Sequence, residues 1–368
     1  MSKATIDSSR RAFLKISATG VAFASGTPAL ASDVPSAETV DAVLDIEAQT
    51  TLASEANWND GLAHPIPYSP PLGTDADRAL VLCGGGEYLV AWYMGYFHAL
   101  HKSGVDLNLA DVIVGTSAGS VAGSVIAGGR LERLTTIFSI FGEFPKLLLY
   151  LAPTTTLSES QKRAIDLCVS VHDARPATIQ MLGRAGMAAH SIPGPNYAKT
   201  MRLLLGERSW PSPKMHITAN DCYTGERLII SEPAGVPVFD AASASSSWPG
   251  RAGPTWIKDR LCMDGGVCQT STHCDVVAGA KRALVISLAS GSAADADKGL
   301  RLSSLPNTLD QEIKDLEAGG TETMKIVAGL PPGWSTVNLL DPDVIAPALK
   351  YGHEPGIEDA DKIKAFWS

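Results

Sequence analysis

The stretch "DVIVGTSAGSVAG", from Asp111 to Gly123, leaves a chain few ways to fold. A short run of β-branched residues turns through Gly115-Thr116-Ser117-Ala118-Gly119 into small residues suited to a helix packed tightly on a sheet. The pattern is G-x-S-x-G, in which flanking glycines let strand and helix approach closely while the serine is held in a strained, exposed corner. The helix start adds backbone N–H groups and the positive end of its dipole beside Ser117. A serine hydroxyl is a poor nucleophile near neutral pH, so this reading requires a base.

The neighbouring segments extend the pattern. "ALVLCGGG" from Ala79 is a buried strand stopped by three glycines, and "EYLVAWYMGYFHALHKSG" is a helix closed by Gly104. Further strands are expected in "KMHITANDCYTGERLIIS", around a Thr224-Gly225 turn, in "RLCMDGG" and in "KRALVISLAS", with a late edge strand in "MKIVAGLP". Residues 130–205 are mostly helical, and Ser158 and Gln161 stand at capping-box spacing. Strands alternating with helices over short connections specify an α/β fold with a mostly parallel central sheet.

Composition excludes some classes of partner. Of 368 residues 45% are hydrophobic and 19% charged, and the net charge is -9. Lys3, Arg10, Arg11 and Lys15 oppose Asp7 in the first 31 residues, so setting aside their +3 leaves -12 on the rest. An acidic body of this kind argues against nucleic acid. Residues 1–31 resemble a twin-arginine signal peptide: Arg10-Arg11 stand just before Phe13-Leu14-Lys15, and Ala29-Leu30-Ala31 suits cleavage. Export through the twin-arginine translocase to the periplasm or beyond is the corresponding expectation. Residues 32–78, rich in Pro and Ala, read as an extended lead-in on the surface. The six cysteines read as buried small side chains, and the pairs Asp341/Asp343 and Asp359/Asp361 as solvated carboxylates. No metal or other cofactor is expected.

Gly84, Gly85 and Gly86 suit an oxyanion hole, because consecutive glycines direct backbone N–H groups into a small space. A phosphate cradle is the competing use, but "GGGEYL" is neither G-x-G-x-x-G nor a P-loop. For the base, Asp264 has the best setting, where a strand meets Gly265 and Gly266. A carboxylate within hydrogen-bond reach accepts a serine proton directly. His172, His190, His216, His273 and His353 remain as alternatives, in a histidine-dependent esterase where Asp264 only caps a turn.

In this order, "CGGGEYLVAW", "GTSAG" and "MDGGV" resemble the motifs of the patatin-like phospholipases, and the resemblance spans about residues 79–290. The run "DAASASSSWPG" and the tail "NLLDPDVIAPALKYGHEPG" also look like a bacterial branch of that family. The resemblance implies a three-layer α/β/α fold and a serine–aspartate dyad of Ser117 and Asp264 without histidine. It also implies a Gly84–Gly86 oxyanion hole and hydrolysis of lipid acyl esters. One departure stands out: where the family loop commonly reads G-G-G-x-R-G, this chain has Tyr88 and Leu89 in place of the Arg and fourth Gly. A non-catalytic lipid-binding protein on the same fold is the alternative which that departure raises. Residues 291–368 are expected to form a helical extension packed on the catalytic domain, and "IFGEFPKLLLYLAP" offers an apolar surface for peripheral membrane contact.

Overall fold

The computed structural model describes residues 60–144, 157–171, 173–189, 197–206, 209–290, 308–335, 339 and 341–368. These belong to one unit, Ser54–Ser368. The signal-peptide reading, most of the lead-in, His172, His190 and the end of the "IFGEFPKLLLYLAP" stretch lie outside the described residues.

Strand β1 (Arg78–Leu82) runs into helix α1 (Gly86–Lys102), and β2 (Val112–Gly115) into α2 (Ala118–Ala127). Four helices follow: α3 (Leu131–Glu143), α4 (Glu159–Ser170), α5 (Pro176–Ala189) and α6 (Tyr197–Leu205). At the start of α4, Ser158 and Gln161 form the expected capping box, satisfying two helix-end donors reciprocally. The hairpin of β3 (Met215–Asp221) and β4 (Arg227–Ile230) leads to α7 (Val238–Ser245), then β5 (Thr255–Ile257) and β6 (Arg260–Asp264). The chain ends with β7 (Arg282–Ser287), α8 (Thr308–Ala318), β8 (Glu322–Val327), α9 (Ile345–Glu358) and α10 (Ala360–Trp367).

The sheet has the order β5-β6-β3-β2-β1-β7-β8, with β4 also on β3. Its five central and right-hand strands, β3-β2-β1-β7-β8, are parallel, whereas β6 joins β3 and β5 joins β6 antiparallel. Alternation along the strands separates two cores. Leu80, Leu82, Ile113, Leu284 and Ile286 face α1, α2 and α9, while Ala79, Val81, Val114, Ala283 and Val285 face α8 and the turn Cys274–Val277. Burial on both faces is why β1, β2 and β7 read as unbroken apolar runs. The mostly parallel three-layer arrangement is therefore the one observed.

Two outer segments are more integrated than their composition suggests. The end of the lead-in buries Leu62 and pairs its backbone with β4, Ile229 N–H donating to Leu62 O (2.9 Å). Asp60 meets the buried Arg260 guanidinium at 2.6 Å. The C-terminal segment is not helical throughout, since β8 extends the central sheet beside β7 and α9 packs along α1.

Candidate active site

The strand register assembles the site. Gly115 of β2 lies opposite Ile217, and Asp264 of β6 opposite Ala219, so the two strand ends meet at nearly the same level on either side of β3. Strands separated by one intervening strand are about 10 Å apart, a gap that side chains pointing toward each other can bridge. β1 ends alongside β2, with Leu82 opposite Gly115, and delivers the glycine loop to the same edge.

Ser117 adopts φ 51, ψ -117, a region that costs a non-glycine residue on the order of 1–3 kcal/mol. Several bonds hold it there. Its N–H donates to Ser245 Oγ (2.7 Å) and its carbonyl accepts from Ser120 Oγ (2.6 Å). Thr116 beside it donates N–H to Leu82 O (3.0 Å) and shares a hydroxyl bond with Thr218 (2.8 Å). A Cβ on Gly119 would lie 2.1 Å from Leu82 O, so the helix start passes over β1 only because that residue has no side chain.

Asp264 is 3% exposed. One carboxyl oxygen accepts the Gly266 N–H (2.8 Å), and the Ser117 side chain is near enough to favour the ionised carboxyl. Burial pushes its pKa up to about 7, and these two groups only partly offset the shift. Asn220 Nδ2 donates to the Asp264 carbonyl (2.8 Å) and fixes the strand end. The thiol of Cys168 in α4 is pushed up to about 12, chiefly by burial and then by the Asp264 charge.

Gly84 packs directly on the serine: a Cβ there would lie 2.9 Å from Ser117 Cβ. Among the described residues the amides of Gly84, Gly85, Gly86 and Ala118 donate to no protein acceptor. Of the loop glycines, Gly84 is the one against the serine, where a Cβ would lie 3.6 Å from Ser117 Oγ. The departures from the family loop are absorbed by packing. Leu89 is buried beneath Gly85, where a Cβ would lie 2.7 Å from it, and the Tyr88 hydroxyl donates to Gly329 O (2.8 Å). Glu87 Oε2 is buried without a hydrogen-bond partner, and desolvation raises that carboxyl to about 7.

The histidines take other roles. His216 Nδ1 lies 3.1 Å from Lys214 O, His353 packs beside His98, and His273 is buried against Gly265 O. None of these three is a partner of Ser117 among the described residues. Gly265 and Gly266 follow Asp264 into the turn, and a Cβ on Gly265 would lie 2.2 Å from Thr218 Oγ1. Among the described residues no group of three or more His, Cys, Asp or Glu side chains is placed to hold a metal ion.

Two contributors escaped sequence reading. Ser245 is one of several serines in "DAASASSSWPG", and Asn220 lies inside a strand, so neither has a local pattern to mark it.

A family profile described as patatin-like phospholipase matches residues 80–272. Two solved structures resemble the chain weakly. VipD from Legionella pneumophila does so at 15% identity and a TM-score of 0.35, covering 78% of this chain and 67% of that one. The type III effector protein ExoU, from Pseudomonas aeruginosa, does so at 14% identity and a TM-score of 0.32, covering 83% and 55%. The chain thus spans about half the length of ExoU. No curated protein gives a significant match.

Proposed function

The chain belongs to the patatin-like phospholipase family, and from that premise we propose that it is a serine acyl hydrolase cleaving carboxylic esters of lipids through Ser117 and Asp264. Family membership supports lipid hydrolysis in general; the residue roles rest on the site. The observation that carries them is a strained serine beside a buried carboxyl whose pKa burial raises to about 7, the serine side chain being among the groups that favour its ionised form. A general base works best with a pKa near the operating pH.

In this reading Ser117 Oγ attacks the ester carbonyl carbon and its proton passes to the Asp264 carboxylate. The carbonyl oxygen becomes an oxyanion received by amides of the Gly84–Gly86 loop and of Ala118, donors that need no reorganisation. Collapse of the intermediate breaks the ester C–O bond, and the departing alkoxide takes the proton from Asp264. Water then attacks the acyl-enzyme, again losing its proton to Asp264. The second collapse releases the carboxylic acid and returns the proton to Ser117. One ester and one water give one acid and one alcohol.

Lipid esters as substrates bring contact with a lipid surface into the same proposal. Ile140 and Phe144, 47% and 58% exposed at the end of α3, are the described residues that favour it. Export by the twin-arginine route is likewise proposed from Arg10-Arg11, and a reporter fused to residues 1–31 tests it. The function itself is tested by release of fatty acid from phosphatidylcholine micelles and of nitrophenol from its acyl esters. Ser117→Ala is expected to lower turnover on the order of 10⁴-fold. Turnover within tenfold of the wild type would overturn the proposal.

A further inference from the structure

We infer that His273 is a positioning residue for Asp264, holding in place the one peptide group whose N–H anchors the Asp264 carboxyl. This rests on the proposed Ser117–Asp264 dyad and extends it by a residue that makes no contact with Ser117.

The Gly265–Gly266 peptide is a single planar unit carrying the carbonyl of Gly265 and the N–H of Gly266. Its N–H donates to Asp264 Oδ1 at 2.8 Å, and its carbonyl lies 3.0 Å from His273 Nε2. A peptide between two glycines is the easiest in a chain to flip, because neither residue has a Cβ to resist it. Packing nevertheless requires glycine at 265, since Thr218 fills the space a side chain would take. A flip would turn the Gly266 N–H away from Asp264. Among the described residues His273 is the donor to the Gly265 carbonyl, so it supplies the lock that the glycines lack. Donation to a carbonyl also polarises the amide and strengthens its own N–H bond to the carboxylate.

The imidazole is itself fixed in the required form. A carbonyl only accepts, so Nε2 carries the proton and Nδ1 presents its lone pair. The group facing Nδ1, at 3.5 Å, is Arg227 Nη1, which can only donate. Arg227 of β4 is 2% exposed and clamped by Asp275 through two bonds of 2.8 and 2.9 Å, with Pro65 O and His64 O taking further donors. Asp275 in turn accepts from Tyr68 N–H (2.7 Å). Burial first, and the Arg227 charge second, hold His273 down to about 4. It stays neutral, a constant donor, while Asp264 titrates near 7. The titratable and charged groups against the pair are Cys168 on the Asp264 side and Arg227 and Asp275 on the His273 side. His273 occupies left-handed φ 54, ψ 46, with its N–H on Thr270 Oγ1 (3.2 Å), so the surrounding chain holds the ring where it is.

The test compares His273→Leu, which removes the donor, with His273→Gln, whose side-chain amide keeps one at similar reach. In micellar ester hydrolysis His273→Leu should lower kcat about tenfold, the scale of outer hydrogen-bond partners. KM should stay within about twofold, and the acid limb of kcat/KM should move up by roughly one pH unit as the carboxylate loses its anchor. His273→Gln should restore both. Equal losses in the two variants with an unmoved acid limb, or wild-type behaviour of folded His273→Leu, would overturn the inference. A wild-type measurement guards against misfolding: the His273 Nε2 proton and the Gly266 amide proton should shift in NMR with one midpoint near 7, absent in Asp264→Asn. A Gly266 shift that His273 does not follow refutes the link. Ser117→Ala and Asp264→Asn run in the same assay; wild-type turnover in either refutes the dyad and this inference together. Loss in both, with His273→Leu unaffected, refutes this inference alone.

Discussion

Replacing Asp264 by Asn should stabilise the protein at alkaline pH while disabling it. The carboxyl is buried, and its folded-state pKa is raised from 3.8 to about 7 by desolvation. Between those values the folded protein keeps a proton that the unfolded chain has released, so stability falls as pH rises. The slope is about 1.4 kcal/mol per pH unit for one group. From pH 5 to pH 8 the fall covers about two units before levelling off near 7, a loss on the order of 3 kcal/mol. Asn accepts the Gly266 N–H as well but has no charge to desolvate. Glu87 and Glu312, also raised to about 7 by burial, contribute to the wild-type profile and remain in the variant, so the difference between the proteins isolates Asp264. Urea unfolding of both proteins at pH 5, 6, 7 and 8 should show the variant gaining on the wild type by about 3 kcal/mol, with unchanged m-values. A difference that stays constant across that range would mean the carboxyl titrates normally, and the desolvation argument would fail.

Other consequences follow from the same geometry. The proposed base works deprotonated, so kcat/KM should decline below a midpoint near pH 7, as a pH–rate profile on a soluble ester would reveal. Glu87→Gln removes a buried carboxyl raised from 4.5 to about 7 and should stabilise the fold above pH 7 by up to about 3 kcal/mol; this gain should vanish near pH 4 in thermal unfolding. Gly84→Ala puts a methyl 2.9 Å from Ser117 Cβ and should lower kcat on the order of 10²-fold, with circular dichroism unchanged. Ser245→Ala strands the buried Ser117 N–H and should cost about 1–3 kcal/mol in urea unfolding.

Much of this was legible in the chain because local pattern and tertiary role coincide there. The runs at Ala79 and Val112 are apolar without alternation because parallel strands are covered on both faces, and the glycines at 84, 115 and 119 sit where the backbone makes close approaches. Asp264 stood out because a strand ends on two glycines. What stayed hidden depends on contacts that no spacing encodes. His273 was one of five histidines open as a base; only the fold reveals its ring on the Gly265 carbonyl and its pKa of about 4, which leave it unsuited to take the serine proton. The Pro-rich lead-in looked extended and superficial, yet Leu62 is buried and Asp60 meets Arg260, 200 residues away in sequence. The C-terminal segment read as helical, with one late strand in "MKIVAGLP". That strand is β8, and its parallel pairing with β7 is a long-range choice made by the sheet edge.

Covalent labelling by a fluorophosphonate, followed by intact mass and peptide mapping, tests the central assignment most directly. A single adduct on Ser117 is expected, forming at a rate that rises with pH through a midpoint near 7, with no adduct in Ser117→Ala and labelling slowed about 10²–10⁴-fold in Asp264→Asn. An adduct on another residue, or labelling of Asp264→Asn at the wild-type rate, would contradict it.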